Sequence, residues 1–391
     1  MTRSSPPQQP GVATTTGQSV PSEVELSGGT SSAGGRGSER DTFAADELAI
    51  VLSHFDLGKI EAIQDFPRGS RRSPKLVIRT DEDGLYLLKR RAKGKDDPFK
   101  VAFCHNLQLY LAAKQYPLPH LIGTADDNNS MLQWKGTIYE LFEYIKGSSY
   151  DNSLEATADS GKILGLLHKL LTDYEPEYEP PRGSYHSSRS VARAMEVIPS
   201  TLARLDPRGE KMNIPELERC LKELEILYNE ASMRVNDLGM MDWPQLIIHS
   251  DWHPGNMLFR GSRVVAVIDY DAARTQQRVI DVANGALQFS IIGGGEDPTQ
   301  WPEYLDESRY KRFLRGYDSV FTQNPEQMLS IAEIRTIPWL MVEALIAEAV
   351  IPIANTGSFA RLEGMKFLSM VERKTKWMKE HAEHLIAVLE S

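Results

Sequence analysis

The feature that most constrains this 391-residue chain is a change of hydrophobic period near Gly147. Upstream, Gly58 to Phe66, Lys75 to Thr80 and Gly84 to Lys89 are short β-like runs. The turn sequences Pro67-Arg68-Gly69-Ser70 and Asp81-Glu82-Asp83-Gly84 separate them. Met131 to Trp134 and Thr137 to Tyr144, joined by Lys135-Gly136, read as two more strands. Asp46 to Leu52 has helical spacing of apolar residues. So does Pro98 to Lys114, where Phe99, Ala102, Phe103, Leu107, Tyr110 and Leu111 recur before Pro117-Leu118-Pro119 ends the run. Downstream of Lys146-Gly147-Ser148, Leu154 to Leu171, Val191 to Leu205 and Ile214 to Asp237 carry the helical period. A compact β-like section over Leu246 to Asp271 precedes helices expected at Asp281 to Ile292 and from Tyr304 to the end. The pattern predicts an α+β molecule of two lobes. A small, mostly antiparallel sheet with one helix occupies residues 41–146, and a mainly helical lobe occupies 147–391.

Residues 1–40 are excluded from either core. Ser, Thr, Gly, Pro and Gln dominate Thr2 to Ser38, with few apolar side chains to offset ordering entropy, so a disordered leader is expected. Met1 to Gln18 lacks the apolar stretch of a secretory signal. Two widely separated cysteines, Cys104 and Cys220, exclude a disulfide scaffold and a thiolate zinc site, and fit a reduced, cytoplasmic setting. Forty-four basic against 54 acidic residues give a net charge of −10, which argues against nucleic-acid coating. The most apolar segment, Trp339 to Ala354, carries Glu343, Glu348 and Pro352, so it falls short of the roughly 18 uninterrupted residues a membrane span needs. No membrane or nucleic-acid partner is expected, and the sequence carries no signal of oligomeric state.

Within the β-like section of the helical lobe, Ile248 to Phe259 reads H-x-D-x-x-x-x-N followed by an apolar strand. A second apolar strand, Val264 to Ile268, ends in Asp269-Tyr270-Asp271. This layout suits phosphoryl transfer. One carboxylate can sit beside an attacking hydroxyl while an amide oxygen and a second carboxylate hold Mg²⁺ against nucleotide phosphates. Asp251, Asn256 and Asp269 supply those three groups, and Pro254-Gly255 lets the loop turn back on itself. Two competing readings are a polar hairpin with a solvated turn, and a hydrolase metal site built from His249, Asp251 and His253. No further His or carboxylate motif completes the latter at recognisable spacing.

In these residues the chain resembles the aminoglycoside phosphotransferase and choline kinase family, which shares the protein-kinase-like two-lobed fold. The family's H-G-D-x-H-x-x-N signature is matched by His249, Asp251, His253 and Asn256, with Ser250 in place of Gly. Its I-D-[FW]-[DE] motif is matched by Ile268, Asp269 and Asp271, with Tyr270 as the aromatic. The resemblance runs from about Phe55 to Ser290. It implies a small-molecule kinase that uses ATP and Mg²⁺ to phosphorylate a hydroxyl acceptor such as an amino alcohol, aminoglycoside, sugar or homoserine-like compound. It implies Asp251 as the catalytic carboxylate, Asn256 and Asp269 as metal ligands, and His249 and Asp281 as supports of the loop. Lys89, ending the apolar strand of Tyr86-Leu87-Leu88-Lys89-Arg90-Arg91, takes the place of the phosphate-pairing lysine, with Arg90 or Arg91 as register-shifted alternatives. Gly69, Ser70 and Arg71 sit where the phosphate-covering loop belongs, although G-x-G-x-x-G is missing. Phe142, Glu143, Tyr144 and Ile145 resemble the hinge whose backbone meets adenine. Ten basic residues against three acidic ones between Arg68 and Lys95 make this stretch locally positive within an acidic chain.

One departure bears on catalysis. The lysine of this fold pairs with a Glu on the small-lobe helix, and Pro98 to Lys114 contains none; His105, Asn106 or Gln108 occupy the relevant face. Either the pairing differs, or phosphate positioning relies more on Mg²⁺ and the arginines. The departure also motivates an alternative, a nucleotide-binding regulatory protein without turnover. For the acceptor, Glu296, Asp297, Glu303, Asp306 and Glu307, with Trp301 and Tyr304, form an acidic aromatic loop that reads either as an amine cradle or as a solvated surface. Trp252 inside the catalytic loop is a second candidate for shaping the acceptor pocket.

Overall fold

The computed structural model describes residues 40–81, 83–206 and 213–390. The expected leader, apart from Arg40, lies outside the described residues. A five-stranded antiparallel sheet of order β1-β2-β3-β5-β4 is built from β1 (Ile60–Asp65), β2 (Lys75–Thr80), β3 (Leu85–Arg90), β4 (Leu132–Trp134) and β5 (Thr137–Glu143). Helix α1 (Ala45–Ser53) covers one face, and α2 (Pro98–Ala113) lies between β3 and β4 in sequence.

Alternation along the strands decides what each face does. Leu76, Ile78, Leu88, Tyr139 and Leu141 point outward with period two and join Val51, Phe55 and Leu57 in a small apolar cluster under α1. The intervening positions, Lys75, Lys89 and Glu140, fall on the opposite face. The register pairs Lys75 with Lys89, and Lys89 with Glu140. A one-residue slip would exchange the two sets, so the apolar face fixes where the charged one points.

Helix α2 starts with Asp97 accepting from the amides of Phe99 and Lys100. Its Phe103, Cys104, Leu107 and Leu111 belong to the larger cluster of the helical lobe, not to the cluster under the sheet. That lobe holds α3 (Leu154–Leu171), α4 (Arg189–Leu205), α5 (Ile214–Asp237), α6 (Val279–Ser290), α7 (Glu307–Asp318), α8 (Ile331–Thr356), α9 (Gly364–Glu380) and α10 (Ala382–Glu390). Helices α3 and α7 approach backbone to backbone. A Cβ at Gly161 would collide with the Phe313 carbonyl, and one at Gly316 with that of Ala158. Shortly after β5, Ser148 and Phe259 exchange amide hydrogen bonds of 2.8 and 2.9 Å.

The single strand pair expected around the motif resolves into two ribbons. β7 (Met257–Arg260) pairs with β8 (Arg263–Val267), and β6 (Gln245–Ile248) pairs with β9 (Arg274–Gln277). β9 reads Arg-Thr-Gln-Gln and has no apolar alternation, so its extended state comes from pairing with β6. The segment from Pro325 to Thr356 is long and apolar enough to cross a membrane by composition, but 72% of its apolar window is buried inside the fold. α8 is a core helix that touches α4, α5, α6 and α9.

Candidate active site

Three strand ends and one helix start build the loop that carries the motif. β6 delivers His249, Ser250 and Asp251, β7 departs immediately after Asn256, and β8 ends into Ile268 and Asp269. The Asn256 side-chain amide donates to the Asp251 carbonyl at 3.0 Å and to its carboxylate at 2.9 Å. The Ile268 amide donates to the Asn256 carbonyl at 2.9 Å, tying the strand that bears Asp269 to the loop. The Gly255 amide donates to His253 Nδ1 at 3.0 Å, which leaves the proton on Nε2, facing the Asp251 carboxylate at 3.6 Å. Burial would raise the Asp251 carboxyl, but His253, His249 and Asn256 outweigh it and hold it below the ordinary carboxylate range. The carboxylate is therefore anionic and fixed in orientation.

Asp281, in the first turn of α6 and fully buried, braces this loop from behind. Its two oxygens accept from the amides of His249 and Ser250, each at 2.7 Å, and His168 Nε2 approaches at 3.4 Å. The helix start favours the negative charge. His249 donates through Nε2 to the Ile268 carbonyl at 3.2 Å and packs edge-on to Trp252. Ser250 sits at φ +65°, in the left-handed region. A glycine there escapes a steric cost of about 1 kcal/mol that Ser bears. We expect Ser250→Gly to keep turnover and to melt no lower than the parent; a drop of several degrees in calorimetry would contradict this reading of the loop.

Lys89 has two carboxylate partners, Glu140 at 3.3 Å and Asp271 at 3.7 Å. Arg91 joins the same two acids at 2.7 and 2.8 Å, and His105 of α2 reaches Glu140 at 2.7 Å. The glutamate missing from α2 is thus replaced by one on β5, which an α2 histidine holds in place. Burial opposes the charge on Lys89, but Asp271 and Glu140 raise its pKa. Burial opposes ionisation of Glu140 too, and Lys89, His105 and Arg91 hold it well below its ordinary value. Of the register alternatives, Arg90 faces the outer side. It makes 2.8 and 3.0 Å bonds to Glu47 of α1 and stacks over Phe43.

The turn containing Gly69, Ser70 and Arg71 closes β1 on β2 beside these lysines. Arg40 donates to the Pro67 carbonyl at 2.5 Å and to that of Ser70 at 3.3 Å, while the Asp41 amide donates to the Arg71 carbonyl at 3.0 Å. Of the four hinge residues, Phe142 pairs with Leu87 in the ladder. Glu143 and Tyr144 donate their amides to His120 and Leu85, which leaves Ile145 as the first residue past the paired strand.

The acceptor side differs from the sequence expectation. Trp252 is fully buried against Phe313 and Gly285 and faces the core. Trp301 is also buried. In the acidic loop, Asp297 accepts from the Thr299 amide, Asp306 caps α7 and pairs with Arg309, and Glu307 meets His384. The carboxylate that does approach the catalytic loop is Glu348 of α8, whose charge acts on both Asp251 and His253. Burial pushes it up to about 7. Gln288 donates to it at 2.5 Å, and the other polar atom of that amide, Oε1, is buried without a partner. Neither residue carried a spacing signal. The hint was a Glu inside the most apolar segment.

Among the described residues, no three His, Cys, Asp or Glu side chains converge into a ready metal cage. A hard divalent cation held by one or two side-chain oxygens and by substrate phosphates needs none. Asn256 uses its amide nitrogen on Asp251, which leaves Oδ1 as an acceptor, so Asn256 and Asp269 fit such a cation.

Residues 66–328 match the model of the phosphotransferase enzyme family. A homoserine kinase of Zymomonas mobilis is 27% identical over 289 residues, covering 72% of this chain and 79% of its own length. Among solved structures, an aminoglycoside phosphotransferase from Alicyclobacillus acidocaldarius superposes with a TM-score of 0.60 at 15% identity, over 90% of this chain and 97% of that one. The amicoumacin kinase hAmiN, solved in complex with AMP-PNP, Ca²⁺ and Ami, superposes with a TM-score of 0.58 at 12% identity, over 86% and 93% of the two chains.

Proposed function

The chain belongs to the phosphotransferase enzyme family, and from that membership we propose how its residues move the γ-phosphoryl group of ATP to a hydroxyl of a small molecule. The protein is a small-molecule kinase that uses ATP and a divalent metal ion. The metal is Mg²⁺ in our reading, held by Asn256 and Asp269; when bound, it neutralises charge on the phosphates. Asp251 orients the acceptor hydroxyl and takes its proton. A carboxylate held low is a weak base, which suits a loose transition state in which the hydroxyl proton leaves late. Lys89 aligns the phosphates, the turn at Gly69, Ser70 and Arg71 covers them, and the segment from Phe142 to Ile145 receives adenine. Residues 41–146 then form the nucleotide lobe, and 147–391 carry the catalytic loop and the acceptor. Two buried free thiols, Cys104 and Cys220, support a reduced, cytoplasmic setting.

The single observation that carries this reading is the charge layout: an anionic Asp251 bonded to Asn256, across the cleft from a Lys89 fixed by two carboxylates. Glu348 and the unpartnered Gln288 amide oxygen favour an acceptor bearing an ammonium group beside its hydroxyl. The homoserine kinase relatives make L-homoserine the first compound to try. The test is incubation with ATP, Mg²⁺ and a panel of amino alcohols, aminoglycosides and sugars, with mass detection of the phosphorylated product. Transfer to at least one acceptor is expected. EDTA should abolish it and Mg²⁺ restore it. ATP binding without consumption for every acceptor would replace this reading with a regulatory, non-catalytic one.

A further inference from the structure

We infer that Lys75, on β2, is a second phosphate-binding cation of the nucleotide site, acting beside Lys89; this rests on the reading that ATP occupies the cleft. The register places Lys75 directly opposite Lys89 on the cleft face of the sheet. Its Nζ reaches under the covering turn and donates to the Arg68 carbonyl at 3.2 Å. Glycine at residue 69 suits this close passage. A Cβ at Gly69 would lie 2.6 Å from that Nζ, and the backbone there has φ +77°.

The cations next to Lys75 in the sheet have carboxylate partners within ion-pair distance. Lys89 and Arg91 are matched by Glu140 and Asp271, and Arg90 by Glu47. Among the described residues Lys75 has no such partner, and its hydrogen-bond partner is a neutral carbonyl. Burial and the Lys89 charge push its ammonium down to about 8, while Asp269 and Asp271 act on it only at longer range. A half-buried ammonium opposite a second one is less favourable alone and more favourable once a polyanion lies between them. A triphosphate supplies that negative charge, and adenosine does not.

The test measures binding of adenosine, ADP and ATP with Mg²⁺ to the full chain by calorimetry, together with the melting temperature of the unliganded protein. Lys75→Gln is expected to leave adenosine affinity within about twofold and to weaken ADP and ATP on the order of tenfold or more, ATP most. Lys75→Arg should retain tight ATP binding. Lys75→Met should melt at or above the parent without ligand, because it removes a half-buried charge that has no ion-pair partner. Equal weakening of all three ligands, a lowered unliganded melting temperature, or a variant that fails to fold would make Lys75 a pin for the turn and overturn the inference. Unchanged ATP affinity in Lys75→Gln would overturn it as well. Wild-type protein that binds ATP no better than adenosine would instead overturn the nucleotide reading itself.

Discussion

Asp251→Ala is expected to lower kcat by about three orders of magnitude or more while ATP still binds and the protein melts within a few degrees of the parent. The loss is large because, in the proposed mechanism, this carboxylate takes the proton of the acceptor hydroxyl. The loop around it is held by other groups: Asp281 on the amides of His249 and Ser250, and Ile268 on Asn256. The stability cost is small because the Asp251 side chain is about 30% exposed, so water can replace it as a partner for Asn256 and His253. Product formation by mass spectrometry and melting by calorimetry check both halves. Turnover within tenfold of the parent would remove Asp251 from the chemistry.

Glu140→Ala should be costly in a different way. The carboxylate is fully buried and receives Arg91 and His105 at 2.7 Å and Lys89 at 3.3 Å, so its removal leaves buried donors and charge without compensation. Breaking a buried ionic cluster from one side costs about 3–5 kcal/mol, which lowers the melting temperature by roughly 10 °C for a chain of this size. The ATP KM should rise, because Lys89 loses its firmer anchor. The cluster also sets the acid response. Glu140 and Asp271 both titrate below their ordinary values in the folded protein. Their contribution is complete above the unfolded carboxylate range and is lost as pH falls through it toward the depressed folded values. The parent should therefore lose stability steeply below about pH 4.5, and Glu140→Gln should show a shallower slope there. Parallel pH–stability curves for the two proteins would show that Glu140 is not part of the acid-sensitive cluster.

The catalytic loop was legible because its residues are close in sequence and their order is unusual: His249, Asp251, His253 and Asn256, then Asp269 after a strand. The helical lobe was legible for a related reason. Leu154–Leu171 and Ile214–Asp237 keep one apolar stripe from end to end, and the structure reproduces both spans. What local pattern could not give is pairing across distance. Glu140 stands 51 residues after Lys89, as the one charge in the interior of its strand, and only the β3–β5 register brings the two together. A lone charge inside such a strand was the available signal, since it must be matched when buried. The acidic loop was ambiguous for the converse reason. Asp and Glu at helix starts are used locally as caps, as Asp297 and Asp306 are, and their density says little about a ligand. β9 was invisible because its extended form is borrowed from β6.

The apolar helix α8 also constrains the order in which this chain can become a protein. Its neighbours α4, α5 and α6 precede it, but α9 follows. The burial site of α8 is therefore complete only once α9 has docked. Until then, a face rich in Ile, Leu, Val and Ala is open to water and to other chains. The last thirty or so residues are not decoration on a finished catalytic unit, since they close the helix that carries Glu343 and Glu348. The interval before they dock is when α8 is open to aggregation.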